Sequence, residues 1–432
     1  MTACTTSQPC RLGSEAVENS LEQGVHLGHV EIDDQGELQR FEQLQAVTRD
    51  LKKEPRHSSH LVILFVHGWN NNASELEKQG GGNLHSFRAA LERLAAAQKK
   101  LGGRKPYGVF VSWRGRTLKP FPMFVDYFHR YSGAGRAGGI AGTEVIHEIS
   151  AAARSANSGN RVLMVGHSFG GLLLESAISE AMTARLAQAH GAITGREKVQ
   201  IKPSDLPADL VVMLNAAESA LQSRQLLAAM TNRGVVASTH ARAAPWMVSL
   251  TSQQDRATGG LFPLSNFLGR WVPPFNFFNT SVSGSYNKGT KSHNGVEWGT
   301  QEAAKSNTIG HFIPLHSHQP ATAACSESAL PDLAAVIKAN LNPWDGRQIR
   351  VRGKQCSYQF AERDPSRYNH SPFWIMQAPN QLIEGHNGIW SDDCVGLLTA
   401  LMNLRDKSPL PAAQETPAVE KPRVQLQLQS FQ

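Results

Sequence analysis

The stretch RVLMVGHSFGGLLLESA sets a serine between two glycines, Gly166-His167-Ser168-Phe169-Gly170, after an apolar run and before a helix-compatible sequence. A G-x-S-x-G turn from strand to helix holds its serine in a strained conformation, with the hydroxyl exposed at the top of a sheet. Positions two residues away on either side meet adjacent backbone and must lack side chains, a demand that Gly166 and Gly170 satisfy. The following helix aims its N-terminal N–H groups and dipole at the serine, which favours negative charge developing there. The chemistry these residues suit is nucleophilic attack by Ser168. A bare hydroxyl is a poor nucleophile at neutral pH and needs a base held by a third group.

On this architecture the partners follow in the order Ser, acid, His, each just past the C-terminal end of a later strand. Among 17 histidines, His386 fits the base, on a Gly-flanked loop (NQLIEGHNGIW) after the last predicted strand. His67 and His167 come too early for the base but can line the site. His293, His311, His316 and His318 read as packed or solvated, because no carboxylate spacing supports a metal cluster there. Two acids compete. Asp255 ends the segment TSQQD after the strand Trp246–Leu250, while Glu218, in LNAAES, ends the preceding strand and is the alternative. Asp205 and Asp209 precede their strand, at the wrong end of the sheet, and Asp392 and Asp393 lie on a surface beyond the His386 loop.

Acyl transfer also requires donors for an oxyanion. Phe169 N–H supplies one. The run LVILFV ends in His67-Gly68-Trp69-Asn70-Asn71-Asn72, where Gly68 admits close approach of the substrate and Trp69 N–H supplies the second donor. Removing one such donor typically costs about 3–4 kcal/mol of transition-state stabilisation. His67, Gly68, Asn70 and His167 are candidate substrate contacts. Arg114, in Trp113-Arg114-Gly115 on the same edge, could hold a substrate carboxylate or phosphate or pair with a loop acid.

The elements that must position these groups alternate. Leu61–Val66, Tyr107–Trp113, Arg161–Val165, Asp209–Asn215 and Trp246–Leu250 read as strands. Helical patterns run over about residues 86–100, 140–153, 171–190 and 220–230. Such alternation predicts an α/β chain with a mostly parallel central sheet covered by helices on both faces. VHLGHVEIDDQGELQRFEQL reads as a hairpin about Asp33-Asp34-Gln35-Gly36. Residues 257–345 show no regular alternation but are rich in aromatics, an insertion before the last core strand, Pro372–Ala378. Phe262, Phe267, Trp271, Phe275, Phe277 and Phe278 could line an acyl pocket beneath such a cap or form the insertion's own small core. Residues 1–24 read as a loose arm, 25–407 as the main domain and the Pro/Gln-rich segment 408–432 as a disordered tail.

Composition narrows the function classes. The chain has 432 residues, 41% hydrophobic and 18% charged, and a net charge of +7 that is scattered rather than gathered into a stripe. That argues against nucleic-acid binding. No apolar run approaches the roughly 18–20 residues needed to span a bilayer, and no conventional secretory signal is visible. A cytoplasmic location is expected, with signal-less export as the alternative. Five widely spaced cysteines, odd in number and without a CxxC pair, predict reduced thiols rather than a zinc cage or disulfide framework.

VILFVHGWNNNAS, VSWRG, VLMVGHSFGG, the SQQD segment and GHNGIW together resemble the α/β-hydrolase superfamily, and are most similar to bacterial serine esterases and lipase-like hydrolases with an HGW loop. The resemblance covers roughly residues 25–405, with the insertion and tails weakly covered. It implies an α/β-hydrolase fold, Ser168 as nucleophile, His386 as base, Asp255 as acid and Trp69 with Phe169 as oxyanion donors. The expected activity is hydrolysis of a small-molecule or lipid carboxylic ester without metal or organic cofactor, nucleic-acid partner or stable membrane insertion. An imidazole base of ordinary pKa, near about 6.5, implies activity that falls in acid. The alternatives are an exported phospholipase or lipase toxin acting on membranes, a peptidase or amidase, and a non-catalytic hydrolase-like binding protein. The long spacer between Asp255 and His386 departs from a compact hydrolase and leaves the substrate open.

Overall fold

A computed structural model of the chain describes residues 15–19, 21–53, 58–73, 82–115, 123–191, 206–232, 244–263, 292–293, 296–297, 301–326, 328–344, 348–363 and 372–407. Phe267, Trp271, Phe275, Phe277, Phe278 and the tail from 408 lie outside the described residues.

The short apolar runs become one sheet. Its strands are β1 (Val17–Glu18), β2 (His26–Ile32), β3 (His60–Val66), β4 (Lys105–Trp113), β5 (Arg161–His167), β6 (Leu210–Leu214), β7 (Met247–Ser252) and β13 (Phe373–Ala378). They lie in the order β1-β2-β4-β3-β5-β6-β7-β13. Only β1 runs antiparallel to its neighbour; every other pair is parallel. Parallel neighbours need crossovers, and the helices supply them: α1 (Phe41–Lys53), α2 (Asn83–Leu101), α3 (Met123–Ala137), α4 (Ile140–Ala156), α5 (Phe169–Gly191) and α6 (Ala220–Asn232).

Alternation along each strand divides the core between two faces. In β3, Val62, Leu64 and Val66 pack with α1, α4 and α5, whereas Leu61, Ile63 and Phe65 pack with α2 and the C-terminal helix. All seven β3 residues are buried, which is why that run is continuously apolar instead of alternating with polar residues. The mostly parallel α/β architecture is as expected.

Three expectations need correction. The segment around Asp33–Gly36 is not a hairpin: β2 turns there, makes a single bridge between Ile32 and Leu38, and the chain enters α1 at Phe41. Leu44, Val47 and Leu51, spaced for one helix face, are buried against the sheet. Nor is the 257–345 segment without regular structure. Its described part holds a strand pair, β8 (Ser292–His293) and β9 (Val296–Glu297), then α7 (Gln301–Ser306), β10 (Thr322–Cys325) and α8 (Leu333–Ala339). With β11 (Gln348–Arg352) and β12 (Cys356–Ala361), β10 forms a separate antiparallel sheet in the order β10-β12-β11. Residues 317 and 321 donate to Ile375 and Gln377 carbonyls, so this segment covers the open edge of β13.

The third correction concerns the thiols. Cys325 and Cys356 are directly opposed across β10 and β12 and form a disulfide. Residues 31 apart in sequence meet only because these two strands pair antiparallel, which spacing alone did not reveal. Cys394 is a buried free thiol on α9 (Asp392–Lys407), and burial pushes it up to about 12, so it stays protonated. No helix among the described residues is long and apolar enough to cross a membrane.

Candidate active site

The strand order reverses direction at β3. From there the chain moves to β4 on one side and then across to β5 on the other, so the loops leaving β3 and β5 adjoin at the C-terminal edge. Pairing of Val66 with Gly166 brings those two loops to the same level. The loops after β4, β6, β7 and β13 emerge along the same edge. Every residue singled out in the sequence as nucleophile, base, acid or oxyanion donor sits on one of them.

Ser168 adopts φ +54°, the left-handed region that costs a side-chain-bearing residue energy. Its N–H donates to the Leu214 carbonyl at 3.1 Å, and its own carbonyl accepts from Gly171 and Ala217 N–H, so both flanking segments hold the turn. A Cβ on Gly166 would lie 2.6 Å from the Gly170 carbonyl oxygen, and one on Gly170 would collide with the Val66 carbonyl. The glycines are therefore steric requirements of the turn, as expected.

Asp255 follows β7 and His386 follows β13, two parallel neighbours, so residues 131 apart in sequence come together. His386 Nδ1–H donates to Asp255 Oδ2 at 2.9 Å. This leaves Nε2 as the nitrogen free of the acid. Asp255 is 2% exposed. Burial alone would raise its pKa, but hydrogen bonds from His386 and Thr258 outweigh it and hold the carboxyl below the usual range. Ala257 and Thr258 N–H both donate to Oδ1, and the Thr258 hydroxyl donates to Oδ2 at 2.5 Å.

Glu218 does not face His386. Its carboxyl is buried against Glu175 of α5, which also accepts from the Ser223 hydroxyl at 2.9 Å. Desolvation and the neighbouring Glu175 raise its pKa well above the ordinary value. The geometry thus separates the two competing acids: Asp255 bonds the imidazole and Glu218 belongs to the packing under the α5 helix.

Around the serine, Phe169 N–H opens α5 and belongs to the first turn, which has no intrahelical acceptor. Trp69 N–H has no acceptor among the described residues. The Trp69 indole donates to Asp126 at 2.8 Å and packs edge-on against Tyr127, which fixes the loop. Gly68 N–H donates to Asn83 Oδ1 at 3.0 Å, and a Cβ on Gly68 would come within 2.9 Å of the Ser168 Cβ. Asn70 takes φ +64° and donates its N–H to the Gly115 carbonyl, so it shapes the loop through its backbone.

Two candidate substrate contacts prove structural. His67 is fully buried, stacked with Phe110 and Trp113. Its Nε2 accepts from Trp113 N–H at 3.2 Å, so Nδ1 carries the proton and donates to the Gly68 carbonyl at 2.8 Å. Burial lowers its pKa to about 4, which keeps it neutral behind the loop. Arg114 meets Asp34 at 2.7 Å, because pairing of Ile32 with Trp113 sets the turn after β2 beside the end of β4; Arg130 binds the other oxygen of that carboxylate. Phe262 is buried against Tyr131, which packs edge-on against Phe169, forming an aromatic wall behind the elbow.

His316 and His318 of the insertion are packed. His316 bonds the Gly310 carbonyl, and His318 bonds Ser317 and packs against Trp374; burial lowers both to about 4. Among the described residues no group of three or more His, Cys, Asp or Glu side chains is arranged to hold a metal ion.

Three positioning residues escaped sequence reading. Asn215, directly after β6 at φ +48°, donates Nδ2–H to the Gly385 and His386 carbonyls at 3.0 and 2.8 Å and accepts Ser252 N–H. An Asn closing a core strand was the only available signal. Asn83 clamps the Trp69 loop, accepting from Gly68 and donating its N–H to Asn71. Thr258 supports the acid from within TSQQDRAT, three residues on, a common Asx-turn spacing that carries little information alone. A scan against protein-family models and a search of curated proteins return no match to this chain.

Proposed function

We propose that this chain has an α/β-hydrolase fold and is a serine hydrolase that cleaves carboxylic esters through an acyl-enzyme. The observation that carries the reading is the 2.9 Å contact of His386 Nδ1 with a buried, ionised Asp255, delivered by adjacent strands to the edge where Ser168 stands at φ +54°. Asp255 fixes the imidazole tautomer and stabilises the imidazolium that forms. His386 Nε2 removes the proton as Ser168 Oγ attacks the carbonyl, and the oxyanion rests on Trp69 and Phe169 N–H. His386 then protonates the departing alcohol, and water activated by the same ring releases the acid.

The test is a p-nitrophenyl ester series of increasing acyl length, run beside a fluorophosphonate probe. Labelling of wild type and not of Ser168→Ala supports the reading; equal labelling of both, or none of either, overturns it and leaves a binding scaffold. Matched ester and amide substrates separate esterase from amidase.

The Cys325–Cys356 disulfide favours a second reading of where this chemistry is used, an exported lipase or phospholipase, because disulfides persist in oxidising compartments. Hydrolysis of phosphatidylcholine liposomes with growth inhibition of a neighbouring cell would select that reading over a housekeeping esterase.

A further inference from the structure

His167 stands beside the nucleophile but takes no part in the proposed mechanism, and its surroundings are unusually polar for a residue 1% exposed. Its Nε2 lies 2.9 Å from the His386 carbonyl oxygen, and its Nδ1 lies 3.2 Å from Asn83 Oδ1. The two imidazoles are 4.8 Å apart, centroid to centroid. A carbonyl can only accept, so the proton on His167 belongs on Nε2. The His386 carbonyl is the nearer of the two acceptors, so the single proton of a neutral ring is assigned to Nε2, and the 3.2 Å approach of Nδ1 to Asn83 Oδ1 is then a close contact without a hydrogen bond. Deep burial and the neighbouring His386 both oppose a cation there, and the pKa of His167 is lowered to about 3. His167 is therefore held as a neutral Nε2–H donor to the His386 carbonyl.

Two asparagines extend these connections. Asn83 holds the oxyanion loop at Gly68 and Asn71, and Asn215 grips the same His386 carbonyl from the β6 side while accepting from Ser252 at the end of β7. Oxyanion loop, nucleophile turn, base loop and acid strand thus meet on three buried side chains.

We propose that His167 is a positioning residue: a neutral strut that sets the His386 loop against the nucleophile turn through its Nε2–H bond to the His386 carbonyl. The proposal rests on the serine-hydrolase reading. It predicts an effect on kcat with little on KM, since the strut orients a base and touches no substrate. A misplaced base slows proton transfer, and loss of one buried hydrogen bond of this kind corresponds to about tenfold to a hundredfold in rate.

The experiment compares three full-length variants. Gln places its amide nitrogen near the position of imidazole Nε2, Asn places its own nearer Nδ1, and Phe keeps the ring without a donor. Hydrolysis of p-nitrophenyl butyrate and the rate of fluorophosphonate labelling are measured for each, with thermal melts alongside. The expected result is a kcat loss of about ten- to a hundredfold in His167→Phe and His167→Asn, with KM within about twofold. His167→Gln should recover most of that loss. Equal activity of the Gln and Asn variants, or a Phe variant within about threefold of wild type, overturns the strut. If His167→Phe does not fold, the Gln and Asn pair decides alone. Absence of labelling in wild type overturns the hydrolase reading, and the strut with it, and is distinguished from the other outcomes by that control.

Discussion

The Thr258 hydroxyl donates to Asp255 Oδ2 at 2.5 Å, the same oxygen that accepts the hydrogen bond from His386 Nδ1–H. Buried carboxylates are costly unless their lone pairs are filled, and here two N–H groups and a hydroxyl fill those the imidazole leaves. Thr258→Val keeps the shape and removes the hydroxyl. We expect kcat/KM to fall by about three- to tenfold, with Thr258→Ser close to wild type, measured on p-nitrophenyl butyrate. A loss in Thr258→Ser with Thr258→Val close to wild type would mean that the methyl group, not the hydroxyl, matters.

Exchange of each acid for its amide separates their roles. Asp255→Asn keeps the geometry but loses the charge, and should cost about 10³–10⁴-fold in kcat. Glu218→Gln should stay within about threefold. It should also change stability with a definite sign. The raised pKa of Glu218 means that the native state keeps a proton that the unfolded state has lost near the ordinary carboxyl value, so stability falls as pH rises through the folded value. The variant should therefore melt higher than wild type at pH 8–9, with the difference shrinking toward pH 5. An unchanged difference across that range would remove Glu218 as the source.

Acid should unfold the chain through its buried histidines. Burial lowers His67, His316 and His318 to about 4 and His167 to about 3. Below the ordinary value of 6.5 the unfolded state takes up these protons and the native state does not. Stability is thus fully present above about 6.5 and is lost as pH falls toward about 4. Urea midpoints at pH 7.5, 6 and 5 should fall in that order; a flat series would contradict it.

Reduction should destabilise the small sheet. Closing a loop of 31 residues contributes about 3–4 kcal/mol by the chain-entropy relation. Cys356→Ser, or dithiothreitol with wild type, should lower the melting temperature by several degrees, and intact-mass analysis after alkylation should show the two thiols only after reduction. Alkylation of both cysteines in untreated, unfolded protein would show that the bridge does not form.

Much of the site was readable because its constraints are local or ordinal. The elbow needs glycine two residues either side of Ser168, and that is visible in five letters. The order Ser, acid, His follows from strands that succeed each other at one edge, so Asp255 and His386 could be picked out before any geometry. The α1 helix was misread because Asp33–Gly36 is a good turn in either a hairpin or a strand–helix connection. Whether a strand or a helix comes after that turn depends on whether Leu44, Val47 and Leu51 find a sheet face to cover. His67 reads as a possible substrate contact, and Arg114 as either a substrate contact or the partner of a loop acid, for the same reason: a polar residue at a strand end is equally suited to bind a ligand or a neighbouring loop, and Arg114 pairs with Asp34.

By itself, then, the chain's sequence determined the strand–helix alternation, the strained serine turn and the chain order of its partners, since each rests on sterics or periodicity within a few residues. Only the tertiary structure decided which acid meets His386, which histidines are pins and which cysteines pair. Those outcomes depend on strand order and register, which bring together side chains far apart in the chain. No local pattern specifies a distance of that kind.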